Sequence, residues 1–220
     1  MVWCATQLAL IGACGLLTAL LVVPLRGLPK MICLNLGCGP KDGQPVHAMF
    51  RDYDVIRVDM NEDVEPDIVA DVRDLSRFVD GHADGIFCWH VIEHLYAHEI
   101  VPTLKGFLRV LKPGGLCIVG TPDLHVAAYQ IVTGNVSNPI YESPVGPIYA
   151  LDMLYGHRPQ VAAGNTFMAH KTGFTSDTLA TALKEAGFAK AKVHAESYGL
   201  LGMATKERND ERNNPVARTR

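Results

Sequence analysis

Met31-Ile32-Cys33-Leu34-Asn35-Leu36-Gly37-Cys38-Gly39-Pro40 is a short apolar run that breaks into two glycines one residue apart. The run reads as a buried strand and the Gly-x-Gly-Pro as the tight turn it feeds. Two glycines so placed let the backbone turn sharply and let a ligand approach main-chain atoms closely. Downstream, the pattern repeats. Val55–Val58 is a second apolar run ended by Asp59, Asp67–Ala70 a third ended by Asp71, and Gly85–Trp89 a fourth leading to His90. Leu116–Gly120 is a fifth, preceded by the turn Lys112-Pro113-Gly114-Gly115. Between the fourth and fifth runs, apolar residues at 91, 92, 95, 100, 101, 104, 107, 108 and 111 follow a helical period with one buried face. Strands separated by helical segments predict βαβ units and a parallel sheet. Residues 134–170 are rich in Gly, Pro, Tyr and Asn and read as an insertion over that sheet. A helix capped at Ser176 or Asp177 runs to Glu185 and is closed by Gly187. Strand-like segments near 188–195 and 198–205 end the domain. The expected fold class is α/β, a Rossmann-like, doubly wound sheet.

In such a sheet, ligands bind beyond the carboxyl ends of the strands where the strand order reverses. The dinucleotide pattern G-x-G-x-x-G would need a glycine at 42, and the residue there is Asp42. A carboxylate where a pyrophosphate meets a helix start is repulsive, which disfavours an NAD-dependent oxidoreductase. Asp59 lies 20 residues past Gly39, where a carboxylate can accept from ribose hydroxyls. Asp71 can accept from an adenine amino group, with Val72 beside it offering backbone and apolar contact to the ring. These features fit adenosine attached to something other than a phosphate.

The chain resembles the class I S-adenosylmethionine-dependent methyltransferases over about residues 31–205. The matching stretches are L-N-L-G-C-G-P (34–40), V-D-M (58–60), A-D-V-R-D-L (70–75), D-G-I-F-C-W-H-V-I-E-H-L (84–95) and L-R-V-L-K-P-G-G-L-C-I-V-G-T-P (108–122). The run H-K-T-G-F at 170–174 and the helix L-x-x-x-L-K-E-A-G-F at 179–188 extend it. The resemblance implies a mostly parallel seven-stranded sheet with the last strand antiparallel, and S-adenosyl-L-methionine as cofactor. It implies Gly37 and Gly39 beside the methionyl part, Asp59 at the ribose and Asp71 at the adenine. The candidate cofactor-binding set is Asn35, Gly37, Cys38, Gly39, Asp59, Met60, Asp71, Val72 and His90. Asn35 stands where the family usually has an acid, so weaker cofactor binding is expected. In that family the segment after the fourth strand faces the donor methyl, so His90, Glu93 and His94 are the catalytic candidates. Imidazole suits proton transfer because its ordinary pKa lies near 6.5.

No metal site is expected. His90, His94 and His98 could form a helical i, i+4, i+8 stripe, but only if residue 90 is helical, and no carboxylate or cysteine partner is evident. Cys38 reads as the small residue that fits the glycine turn. His170 could reach an acceptor pocket from the insertion, and Trp89 could wall that pocket or pack in the core.

The net charge of −3 divides as +2 over residues 1–30, +2 over 206–220 and hence −7 over 31–205. An acidic body of this kind predicts no nucleic-acid partner and favours a small-molecule or sugar-type acceptor. Six cysteines without a CxxC pair read as reduced thiols of a cytoplasmic protein. Val2 to Val23 is a 22-residue run without charge, followed by Arg26 and Lys30. It is either a membrane anchor or an extension that the 31–205 domain does not need; no basic residue precedes it, as a secretory signal would require. Residues 206–220 read as a disordered tail. A cofactor-binding protein without catalysis, tethered to a membrane or a partner, is the alternative function.

Overall fold

The computed structural model describes residues 30–43 and 45–209. In chain order the strands are β1 (Ile32–Leu36), β2 (Asp54–Asp59), β3 (Ile68–Val69), β4 (Ala83–Trp89), β5 (Leu111–Pro122), β6 (Tyr141–Ser143), β7 (Gly146–Ile148), β8 (Lys190–Glu196) and β9 (Gly199–Thr205). The α-helices are α1 (Ala97–Val110), α2 (Leu124–Val132), α3 (Ala150–Tyr155), α4 (Arg158–Ala162) and α5 (Ser176–Glu185). Seven strands form one sheet in the order β3-β2-β1-β4-β5-β9-β8, and β6 pairs with β7 in a separate hairpin. The first five strands are parallel, and β9, the last in sequence, enters antiparallel between β5 and β8. This is the Rossmann-like sheet expected above. After β3 the chain crosses to the other side of β1, so the carboxyl ends of β1 and β4 flank the switch point.

Both faces of the sheet are apolar, which is why β1 reads as a hydrophobic run interrupted only by Asn35. Leu34 and Leu36 join Val58, Ile86 and Val119 under α1 and α5. α1 turns Ile100, Leu104, Phe107 and Val110 inward, and its first turn is closed by Tyr96 N–H donating to Glu99 Oε2 at 2.8 Å. α5 buries Leu179, Ala182 and Leu183 beside it and ends at Gly187, whose φ is +100°. On the opposite face Cys33, Phe87, Ile118 and Leu201 are covered by Phe50.

The βαβ reading implies helices between successive strands, and among the described residues none forms before α1. Among the described residues the connections 37–53 and 60–67 hold single 3₁₀ turns, Ala48–Phe50 and Glu62–Val64. Gly37, Gly39, Pro40, Gly43 and Pro45 leave no helical apolar period in the first of them. The helix expected from residue 91 begins at Ala97, after a separate 3₁₀ turn at Ile92–His94.

The insertion folds as the β6–β7 hairpin with α3 and α4, around a small core of Ala127, Ile148 and Met153. Asp152, 4% exposed, accepts from Tyr149 N–H at 2.9 Å and Arg158 Nε at 2.7 Å. Burial pushes its carboxyl up, but the Arg158 and backbone hydrogen bonds outweigh this and hold it below the usual range. A depressed folded-state pKa contributes stability that is complete above the unfolded value near 4 and is lost as pH falls through the folded value. Asp152→Asn should therefore cost about 1 kcal/mol at pH 7, a small figure because Arg158 is half exposed. Thermal midpoints should converge with wild type as pH falls from 5 towards 3; an undiminished gap at pH 3 contradicts the assignment.

At the far end, Lys206, placed in the tail by sequence, is pinned: its N–H donates to Gly115 O at 3.1 Å and its carbonyl accepts from Gly114 N–H at 3.0 Å. The apolar run 2–23 and residues 210–220 lie outside the described residues. Among the described residues no helix is long and apolar enough to cross a membrane.

Candidate functional site

The glycine turn after β1 is held by β2. Gly37 and Cys38 N–H groups both donate to Val58 O, at 2.8 and 3.1 Å, while Gly39 N–H donates to Asp59 Oδ2 at 3.0 Å. Gly37 and Gly39 have φ of +67° and +59°, the left-handed region that glycine alone enters freely. A Cβ on Gly37 would lie 2.3 Å from Val91 Cγ2, so the turn also presses on the segment after β4. Cys38 is buried and its thiol is pushed up by that burial, which fits a space-filling role. Asn35 is buried at the end of β1. Arg57, which sequence reasoning missed, ties this region together: its guanidinium donates to the carbonyls of Gly39, Val64 and Glu65. The available signal was a lone charge in the middle of D-V-I-R-V-D.

Asp59 stands half-buried at the end of β2, its Oδ1 accepting from Asn61 N–H at 2.9 Å. Met60 beside it is 47% exposed. Asp71 follows β3, with Val72 buried behind it. Arg73 Nε lies 3.0 Å from both Asp71 oxygens, and its Nη1 reaches Glu99 Oε1 at 2.7 Å. These bonds hold the Asp71 carboxyl below its usual range. Arg73 was not anticipated, yet a carboxylate keeps lone pairs for a further donor after such a pairing.

A second group forms beyond β4. His90 ends the strand with φ +55°, its N–H donating to Gly120 O at 2.9 Å. Its Nδ1 is 3.0 Å from Glu93 Oε1. Glu93 is 1% exposed, and its other oxygen, Oε2, is buried without a hydrogen-bond partner. The Glu93 carbonyl accepts from Lys171 and Thr172 N–H at 2.9 and 3.1 Å, which draws the end of the insertion alongside. His170 thereby meets His94, ring centroids 4.8 Å apart and edge to face. His94 Nδ1 is 3.1 Å from Ala169 O, and His170 Nδ1 is 2.9 Å from Met153 O. His98 belongs to α1 and stacks on Tyr96, so the i, i+4, i+8 stripe does not form. Trp89 stacks on Phe87 at 5.8 Å over Gly120 and packs with the sheet rather than over Glu93.

The electrostatics of this group are mutual. Burial pushes Glu93 up, but the His90 bond and the neighbouring His94 and His170 pull it below the usual range. Burial works against a charged His90, and the Glu93 bond reverses that and raises it. Burial lowers His170, against the pull of nearby Glu93. Tyr141, stacked on Tyr198 at 4.6 Å, is raised by burial and by Asp152 and Glu93. Neither tyrosine was singled out in the sequence. A groove of about 360 Å³ between α1 and α5, lined by Ile100, Phe174 and Asp177 among others, includes none of the loop carboxylates or His90.

Residues 34–119 match a family model described as a methyltransferase domain. No curated protein matches the chain. Among solved structures, an S-adenosylmethionine-dependent methyltransferase of Methanosarcina mazei is similar with a TM-score of 0.54 at 16% identity, over 82% of this chain and 94% of that one. A second, from Archaeoglobus fulgidus, has a TM-score of 0.53 at 15% identity, over 80% and 86%. The Burkholderia thailandensis 1,6-didemethyltoxoflavin-N1-methyltransferase, holding 1,6-didemethyltoxoflavin and S-adenosylhomocysteine, has 0.50 at 16% identity, over 81% and 72%. The resemblance read from the sequence is thereby borne out: residues 34–119 match a methyltransferase-domain model, and the chain has the fold of the class I S-adenosylmethionine-dependent methyltransferases.

Proposed function

We propose that the chain transfers a methyl group from S-adenosyl-L-methionine to a small-molecule or sugar-type acceptor. The observation that carries this reading is the Asp59 carboxylate, bonded to Gly39 N–H at the mouth of the glycine turn, with Asp71 at the end of the next strand. Asp59 would accept the ribose hydroxyls, Asp71 and Val72 would meet the adenine, and Asn35, Gly37, Cys38, Gly39, Met60 and His90 would line the rest. The absence of a charge on Asn35 leaves the donor's amino group with a neutral acceptor only. The Burkholderia enzyme of like fold, with a small heterocycle beside S-adenosylhomocysteine, supports a small acceptor. The −7 body supports the exclusion of nucleic acid, and buried free thiols at Cys33, Cys38, Cys88 and Cys117 suit the cytoplasm. Membrane association through residues 2–23 remains part of the proposal.

Methyl transfer is an in-line displacement whose leaving thioether is neutral, so alignment and exclusion of water supply much of the rate. His90, with Nδ1 held by Glu93 Oε1, keeps Nε2 free to accept a proton from an oxygen or nitrogen nucleophile. Glu93 orients that ring, and His94 holds the 169–172 segment through Ala169 O.

Asp59→Ala should weaken S-adenosylhomocysteine binding by about 1–3 kcal/mol, the scale of hydrogen bonds to a charged group. Unchanged affinity by calorimetry contradicts the ribose assignment. Release of labelled methyl into a lysate fraction separates an enzyme from a protein that only binds the cofactor; binding without any transfer favours the latter.

A further inference from the structure

We infer that Glu93, His94 and His170 form a binding site for a divalent transition metal of the zinc class. One ligand atom from each residue lies within 4.8 Å of the other two. Two features point to the atoms that would donate. Glu93 Oε2 is buried without a hydrogen-bond partner, and a carboxylate oxygen stranded away from water is costly unless something positive meets it. His94 and His170 each commit Nδ1 to a backbone carbonyl, Ala169 O and Met153 O, which leaves Nε2 as the free lone pair. That orienting bond is the one metal-bound imidazoles usually make.

Two nitrogens and one carboxylate oxygen match the donor set of open zinc sites, which keep a fourth position for water or substrate. A tetrahedral ion would draw the donors to about 3.4 Å apart, a contraction within reach of side-chain rotation. Glu93 Oε1 stays with His90 Nδ1, so ligation by Oε2 leaves the orientation of His90 intact. The use of the open position rests on the methyltransferase reading. A hydroxyl acceptor bound there loses its proton more readily, to His90 or to water; the alkoxide oxygen then forms the bond to the methyl carbon as the carbon–sulfur bond breaks and a neutral thioether leaves.

The test uses the full chain, stripped with a chelator and re-equilibrated with zinc or with cobalt. Bound metal after gel filtration should reach one equivalent, and the cobalt form should show the intense visible bands of four- or five-coordination. His94→Ala, His170→Ala and Glu93→Gln should each lower zinc affinity at least about 10-fold, while exposed His194→Ala leaves it unchanged. Metal well below one equivalent, weak six-coordinate bands, or equal loss in His194→Ala overturns the site. If a ligand variant fails to fold, the cobalt spectrum of the unaltered chain decides. Titration of the same preparation with S-adenosylhomocysteine is independent: metal bound without cofactor binding would sink the methyltransferase reading and leave the site standing.

Discussion

Phe50→Ala is expected to destabilise the domain by about 3–5 kcal/mol, the range for deleting a fully buried aromatic ring. Phe50 is 0% exposed and lies in the space Gly85 leaves open: a Cβ on that glycine would come 2.4 Å from the ring. It meets Tyr53 edge to face at 5.2 Å and caps Cys33, Phe87, Ile118 and Leu201. The other face of the sheet has α1 and α5 to spread the loss. On this face Phe50 is a fully buried ring of a smaller cluster, with Val46, Tyr53 and Trp89 packed against it. Guanidinium unfolding measures the effect through the midpoint; a loss below about 1 kcal/mol would mean that the face is covered by something else.

Gly37→Ala should abolish detectable S-adenosylhomocysteine binding. At φ +67° an alanine pays roughly 1–2 kcal/mol in backbone strain. The added methyl also lies 2.3 Å from Val91 Cγ2, so either the turn leaves Val58 O or Val91 is driven away from the glycines. Val91 is two residues from Glu93, which spreads the damage to the proton-handling group. Gly39→Ala is the comparison: its φ is +59°, but nothing lies within 4 Å of the new Cβ. It should keep the turn's contacts with Val58 and Val91 at the backbone cost, and weaken binding less than Gly37→Ala, only through the methyl it sets beside the cofactor. Calorimetry on the two variants separates these outcomes, and equal binding by Gly37→Ala and wild type would remove the turn from the cofactor site.

The parts of this molecule that were legible in sequence are those written in consecutive residues. M-I-C-L-N-L followed by Gly37-Cys38-Gly39 gives β1 and its turn because a strand buried on both faces is apolar along nearly all its length, and the left-handed turn favours glycine. Asp59 and Asp71 were found because strand ends are marked by the stop of an apolar run. What was not legible depends on long-range contacts. His170 lies 76 residues from His94, and only the Lys171 and Thr172 bonds to Glu93 O bring the two rings together. No histidine stripe forms on one helix, since Ile92–His94 is a separate turn and His98 sits on α1. The roles of Arg57 and Arg73 were hidden for the same reason: their partners are loop carbonyls and carboxylates set by the folded backbone. The Gly- and Pro-rich connection between β1 and β2 has no apolar period of its own, and its described residues hold a single 3₁₀ turn.

Calorimetric titration of the full chain with S-adenosylhomocysteine, run beside NADH, tests the crevice between the glycine turn and Asp59 most directly. Saturation at one equivalent of S-adenosylhomocysteine with no heat from NADH is the expected result. No binding of the adenosyl thioether, or tighter binding of the dinucleotide, would contradict the assignment.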